Sequence, residues 1–250
     1  MRAFLYVFIL MSWWNNDNSF ILAAKKSDID QFKTLLDNGA DINARDKYKN
    51  TALMYAAYQD NVVIVGLLLN RANIDVNAQN SIGDTALILA SAKLNYNITE
   101  MLLAKIDLNV NIQNNKGDTA LIAASLRLDY SMFKLLLSRE DTNVNIQNKD
   151  GNTAIIVASI STYNFKLKED ITWHDYQPET EYVSIIYPMY TKIVQDLCSR
   201  EKVDLYITNN ERETAYDIAV KTSTLFNDIP QNTIKYAMTE KDMEKLITRR

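Results

Sequence analysis

Enzymatic chemistry needs nucleophiles, acid–base groups or metal ligands brought together, and this chain holds few of them. It has one histidine, His174, and one cysteine, Cys198. A single cysteine forms no internal disulfide, and one thiol with one imidazole falls short of the Cys/His sets of zinc sites. His174 lies in Trp173-His174-Asp175-Tyr176, with Glu169, Asp170, Glu179 and Glu181 close by in sequence. A hydrolytic or metal site around His174 is the one enzymatic reading these residues permit. The plainer reading is a solvated loop histidine, and Cys198 reads as a small core hydrophobe. Glycine-rich phosphate loops, paired histidines and nucleophile motifs are missing. We expect no catalytic residues, no cofactor and no metal.

The charge balance narrows the partners. Lys and Arg number 27 against 31 Asp and Glu, a net charge of −4 over 250 residues. That balance gives no electrostatic footprint for nucleic acid. Apolar residues make up 47% and charged residues 23%, as in an ordinary globular chain, with enough length to bury a core. Glycine is scarce, 5 residues, whereas asparagine occurs 26 times. Turns that need positive φ must therefore often use Asn or Asp, the next most tolerant types.

What positions the side chains is a repeat. Thr-Ala-Leu or Thr-Ala-Ile occurs at Thr51, Thr85, Thr119 and Thr153, with a constant spacing of 34, and Thr-Ala-Tyr follows at Thr214 after 61. A second register, Ile42-Asn43, Val76-Asn77, Val110-Asn111 and Val144-Asn145, keeps the same period. Two registers locked to one period define a repeat architecture. In the unit from 115, Thr119 is placed to cap a helix Ala120–Leu126. A break at Leu128-Asp129 precedes a second helix over Ser131–Ser138, and an Asn-rich hairpin-like loop follows. Neither helix is long enough to stand alone, so each must stack on its neighbours. Thr119→Ala should cost about 1 kcal/mol through the lost cap, and an unchanged denaturation midpoint would refute that capping role.

These motifs resemble the ankyrin repeat. The matching elements are Gly-x-Thr-x-Leu at Gly83–Leu87 and Gly117–Leu121, and at Gly151–Ile155 with Ile for Leu. Asn38–Ala44, Asn-Gly-Ala-Asp-Ile-Asn-Ala, and the Leu-Leu-Leu runs of second helices match as well. Tetratricopeptide repeats share the period, but their Trp, Gly and Tyr positions are absent. The resemblance implies an all-α solenoid of stacked helix-turn-helix units with hairpin-like loops. About six units are expected, near 19–46, 47–80, 81–114, 115–148, 149–210 and 211–250. The departures are the family's Pro replaced by Ala in every unit and its His replaced by Met54, Ile88, Ile122, Ile156 and Asp217. The Thr–His bonding that braces neighbouring repeats is thus missing, and Asp60, Leu94 and Leu128 stand where the family has Gly. Asn43, Asn77, Asn111 and Asn145 are expected to make local Asx-type bonds to their own loops.

Two segments fall outside the period. Residues 1–18 begin with Arg2 and the apolar run Ala3–Trp14, ordered like a secretory signal but without a small-x-small cleavage site. An export signal or anchor, an apolar extension packed on the first repeat, and a misplaced start codon are the alternatives. Location is correspondingly cytoplasmic or exported, and contact with a membrane would involve only residues 1–14. The other segment is an insertion in the unit from 149, over 163–189. Seven of the 28 residues from 163 to 190 are aromatic, against 10% of the chain. They either bind a partner or fold back over the adjacent repeats.

The resemblance implies recognition of another protein by a monomeric scaffold, along hairpin tips and first helices. Carried onto this sequence, those positions are Lys47, Tyr48, Asn50, Tyr58 and Gln59, then Ser81, Ile82, Asp84 and Lys93. They continue with Asn115, Lys116, Asp118 and Arg127, and then Lys149, Asp150, Asn152 and Ser161. The candidate partner-binding residues are Tyr48, Tyr58, Ile82, Lys93, Lys116 and Arg127, with Phe165, Trp173, Tyr176 and Tyr182 from the insertion.

Overall fold

The computed structural model describes residues 18–169, 187–198 and 203–218. The chain divides into two units, 1–115 and 116–250, each described by itself. The described residues of both are helical, and none forms a strand.

In the first unit, α1 (18–26) pairs with α2 (Ile29–Asp37), α3 (Ala52–Tyr58) with α4 (Val62–Leu69), and α5 (Ala86–Lys93) with α6 (Tyr96–Leu103). First helices stack on first helices (α3 on α5) and second on second (α2 on α4, α4 on α6). The second unit repeats the plan with α7 (Ala120–Ser125), α8 (Tyr130–Leu137), α9 (Ala154–Glu169) and α10 (Tyr187–Cys198). There α7 packs on α8 and α9, and α10 on α8 and α9. Within each unit this is the stacking of helix pairs that the resemblance implies.

Local chemistry sets the helix starts. Thr51, Thr85 and Thr119 are extended, and each hydroxyl accepts from the amide three residues on, at Met54, Ile88 and Ile122. At α2, α4 and α8 the caps are Asp28, Asn61 and Asp129, accepting from Gln31, Ile64 and Met132. Thr214 and Asp217 cap reciprocally: Thr214 N donates to Asp217 Oδ2 (2.9 Å) and Asp217 N to Thr214 Oγ1 (3.2 Å). The position where the family has His is apolar in the central units, and Met54, Ile88, Ile122 and Ile156 are all buried. Each adds about 1.5–3 kcal/mol of transfer free energy to the core before ordering entropy is subtracted. Ala56, Ala90, Ala124 and Ala158 are fully buried at another shared register, where a small side chain lets stacked helices approach.

Three expectations need correction. The insertion is narrower than 163–189, because the first helix of the unit from 149 runs to Glu169 and its partner starts at Tyr187. Both flanks of the insertion are therefore helical. The helix after Thr119 ends at Ser125, one residue early, and its partner begins at Tyr130. The largest correction concerns asparagine. Asn43 does not bond its own loop but reaches the next: its Nδ2 donates to Asn73 O (2.8 Å) and its Oδ1 accepts from Asp75 N (2.8 Å). Asn77 does the same with Asp107 O and Asn109 N, and Asn145 accepts from Asp204 N. The local Asx turns are made two residues earlier, by Asp41, Asp75, Asn109 and Asn143. The bracing lost with the family's His is supplied here, between loops.

Candidate functional site

The hairpin tips are built on one polar position per repeat. Oδ1 of Asp46 accepts from Tyr48 N and Asn50 N, both at 2.8 Å, and Asn80 accepts likewise from Ile82 N and Asp84 N. Asn148 and Asn209 repeat the pattern in the second unit. The side-chain amide of an Asn at this position then reaches back one repeat, Asn80 to Asn50 Oδ1 (2.9 Å), Asn114 to Asp84 (2.8 Å) and Asn148 to Asp118 (2.9 Å). Backbone rungs join the tips: Ser81 N donates to Tyr48 O, Asn115 N to Ile82 O, and Lys149 N to Lys116 O. Gln79 adds a bridge from Gly83 O to Gln113 O, and Gln147 one from Gly151 O to Thr208 O.

Several expected contact residues are thereby removed from the free surface. Asn50, Asp84 and Asp118 are rungs of the ladder, and Asp84 is almost fully buried. Asn115 spends its amide on Ser81 O (3.0 Å). Gln59 holds the end of α1, donating to Lys25 O (2.6 Å) and accepting from Ser27 Oγ (3.0 Å). A polar residue at a tip is thus mainly mortar between repeats, which spacing alone does not reveal.

Among the candidates that stay exposed are aromatic, aliphatic and basic side chains. Tyr48 (54% exposed), Tyr58 (47%) and Ile82 (59%) all face solvent in the first unit. Lys93 Nζ stands 4.4 Å above the Tyr58 ring, bringing together two candidates from neighbouring repeats. Lys47 lies 4.8 Å over Tyr48, and Lys25 5.3 Å over Tyr55. Exposed pairs of this kind are worth about 0.5–1 kcal/mol and hold both side chains in place. Tyr55 links this face to the tips, its hydroxyl donating to Asp46 Oδ2 (2.7 Å) and accepting from Asn50 Nδ2 (3.3 Å). Burial pushes the Asp46 carboxyl up, but the hydrogen bonds from Tyr55, Asn50 and Tyr48 together outweigh it and hold the pKa below the ordinary aspartate value. Tyr55 is correspondingly raised, by burial first and then by Asp46.

Leu22, Lys25 and Tyr55 were not among the sequence candidates. Leu22 is exposed on α1 and Lys25 sits beside Tyr55. Ser27, the left-handed residue after α1, precedes Asp60 by 33, whereas Asp60 and Leu94 are 34 apart. In the second unit Lys116 and Arg127 are exposed on a tip and beyond α7, with exposed Leu126 beside Arg127. Phe165 falls on α9, while Trp173, Tyr176 and Tyr182, and His174 with its neighbours Asp170, Glu179 and Glu181, lie outside the described residues. Among the described residues no cluster of three or more His, Cys, Asp or Glu could hold a metal ion, and no helix is long and apolar enough to cross a membrane.

Family models for ankyrin repeats match this chain over residues 20–114, as three copies, and again over residues 116–149 as a single repeat. No curated protein matches it.

Proposed function

The chain belongs to the ankyrin-repeat family, whose repeats are general protein–protein interaction modules, and from that premise we propose that it is a non-catalytic, monomeric scaffold that binds another protein through its first helices and hairpin tips. The observation that carries this reading is the exposure of Tyr48, Tyr58 and Ile82 beside tips whose polar side chains are occupied in holding neighbouring repeats together. Large side chains left in water on a frame braced by hydrogen bonds are suited to anchor a partner with little ordering cost. The aromatic insertion supports a second reading, with Phe165, Trp173, Tyr176 and Tyr182 as the contact set, because aromatic residues are more than twice as frequent there as in the whole chain.

Cross-linked capture from source-cell lysate separates the two. Intact protein is compared with a Tyr58→Ala/Ile82→Ala variant and with a variant lacking residues 163–189, each checked for helicity by circular dichroism. A partner lost with Tyr58 and Ile82 but kept on deletion supports the helix-and-tip face. A partner lost only on deletion moves recognition to the insertion. A partner kept by both variants refutes both assignments.

A further inference from the structure

We infer that the segment received by the first-helix face of the unit from 18 to 115 is an acidic peptide, with Asp or Glu side chains flanking an apolar anchor. This rests on the face being the binding surface and adds the chemistry of what it takes. Helices α1, α3 and α5 contain no Asp or Glu, and their exposed charges are Lys25, Lys26 and Lys93. The adjoining tip adds exposed Lys47 and Lys49. In a chain of net charge −4, a face this uniformly basic reflects placement and not composition.

The acids of the same unit are either elsewhere or occupied. Asp30 and Asp37 are on α2 and Glu100 on α6, while Asp75 and Asp107 lie in loops, and Arg45 and Arg71 answer Asp75 and Asp37. Asp28 caps α2, and Asp41 accepts from Asn43 N in the loop beyond it. Of the two carboxylates at the base of the tips, Asp46 accepts from Tyr48, Asn50 and Tyr55, and Asp84 is buried and accepts from Asn114. Asp60 sits at the turn after α3. Among the described residues no carboxylate lies within ion-pair distance of Lys25, Lys26, Lys47, Lys49 or Lys93. Three of these lysines rest on tyrosine rings instead. An ammonium on a ring face keeps N–H groups directed outward, where a carboxylate can accept them. Leu22, on α1 with Lys25 and Lys26, and Ile82, on the following tip, are exposed apolar side chains of the same unit. All five cations are lysine, without the planar fork that grips phosphate in two places, and the rings that would stack bases already carry ammonium groups. Both features favour carboxylates on a peptide over a nucleic acid strand.

Random peptides are displayed on phage and selected on the full chain. Parallel selections use Lys25→Glu/Lys93→Glu and Tyr58→Ala/Ile82→Ala, all checked by circular dichroism. We expect Asp and Glu to be enriched around an apolar residue on the wild-type chain. Reversing the two lysines should abolish that enrichment, weaken selected peptides about ten-fold, and remove most of their salt dependence. Selected peptides without acidic enrichment, acidic enrichment that survives charge reversal, or no selected peptides at all would overturn the inference. So would a single-stranded oligonucleotide that displaces the peptides and binds more tightly through the same lysines. Neutral peptides lost on Tyr58→Ala/Ile82→Ala would remove the acidic chemistry while leaving the binding face intact. Peptides indifferent to both double variants would remove the face itself.

Discussion

Where paired helices turn into one another, the backbone is left-handed at Ser27, Asp60, Leu94 and Leu128, and at the hairpin tips it is left-handed at Gly83, Gly117 and Gly151. The conformational demand is the same, yet only the tips keep glycine. The difference is the neighbour. A Cβ on Gly83 would stand 2.6 Å from Asn115 N, and one on Gly117 2.8 Å from Lys149 N, both backbone atoms of the next repeat. At the helix turns the bonds are local, Asn61 N to Ala56 O and Asn95 N to Ala90 O, closing each helix on itself. Positive φ alone is a moderate penalty that Asp or Leu can bear, whereas a backbone wall is not. Arg212 also has positive φ, at the last described tip. Lys49 does so with the Ser81 tip beside it, and nothing in the structure explains that exception.

Glycine provides the largest test of this contrast. Gly83→Ala should destabilise by about 3 kcal/mol or more, because strain and clash against the next tip add. Gly39 has the same sign of φ but nothing within 4 Å of its Cβ position, so Gly39→Ala should cost only about 1 kcal/mol. Equal losses in urea denaturation would show that φ, and not the neighbouring repeat, selects glycine. Next comes the loop bridge: Asn77→Ala removes bonds to Asp107 O and Asn109 N and should cost about 2 kcal/mol. A loss below the error of the midpoint would mean that water replaces both bonds, and that the bridge aligns the loops without stabilising them.

A smaller effect is expected from pH at the first tip. The folded Asp46 carboxyl is held below its unfolded value, so its contribution is present above the unfolded pKa and is lost as pH falls through the folded one. Stability should therefore decline below about pH 4. Asp46→Asn keeps the Oδ1 acceptor used at Asn80 and should reduce that decline. An unchanged acid profile in the variant would assign the loss to other carboxylates. Smallest of all is the helix-turn edge. Asp60→Gly relieves positive φ at an exposed residue but loosens the unfolded chain, and should shift stability by about 0.5 kcal/mol or less, on the stabilising side. A loss as large as that expected for Gly39→Ala would show that the Asp60 side chain matters to the turn.

Much of this was legible in the residues. The regular spacing of Thr51, Thr85 and Thr119 located the helix caps, and the hydroxyl bonds at 3.2–3.3 Å follow from having Thr at the start of an apolar run. Tyr48, Tyr58 and Ile82 could be placed on an exposed face because the resemblance carries tip and first-helix positions onto this chain. The destinations of Asn43, Asn77 and Asn145 could not, since a bonding partner in another loop lies 30 residues or more away along the chain and leaves no trace in local pattern. For the same reason Gln59 and Asn115 looked available and were not.

The period, the helix pairs, their caps and the shortage of catalytic groups were already fixed in the order of the residues, because each depends on residue type and on neighbours within a few positions. Folding alone settled which polar side chains join repeats and which face water, and set Lys93 of one repeat over Tyr58 of another. Those outcomes depend on distances between segments remote in sequence, and the stacking of repeats sets such distances.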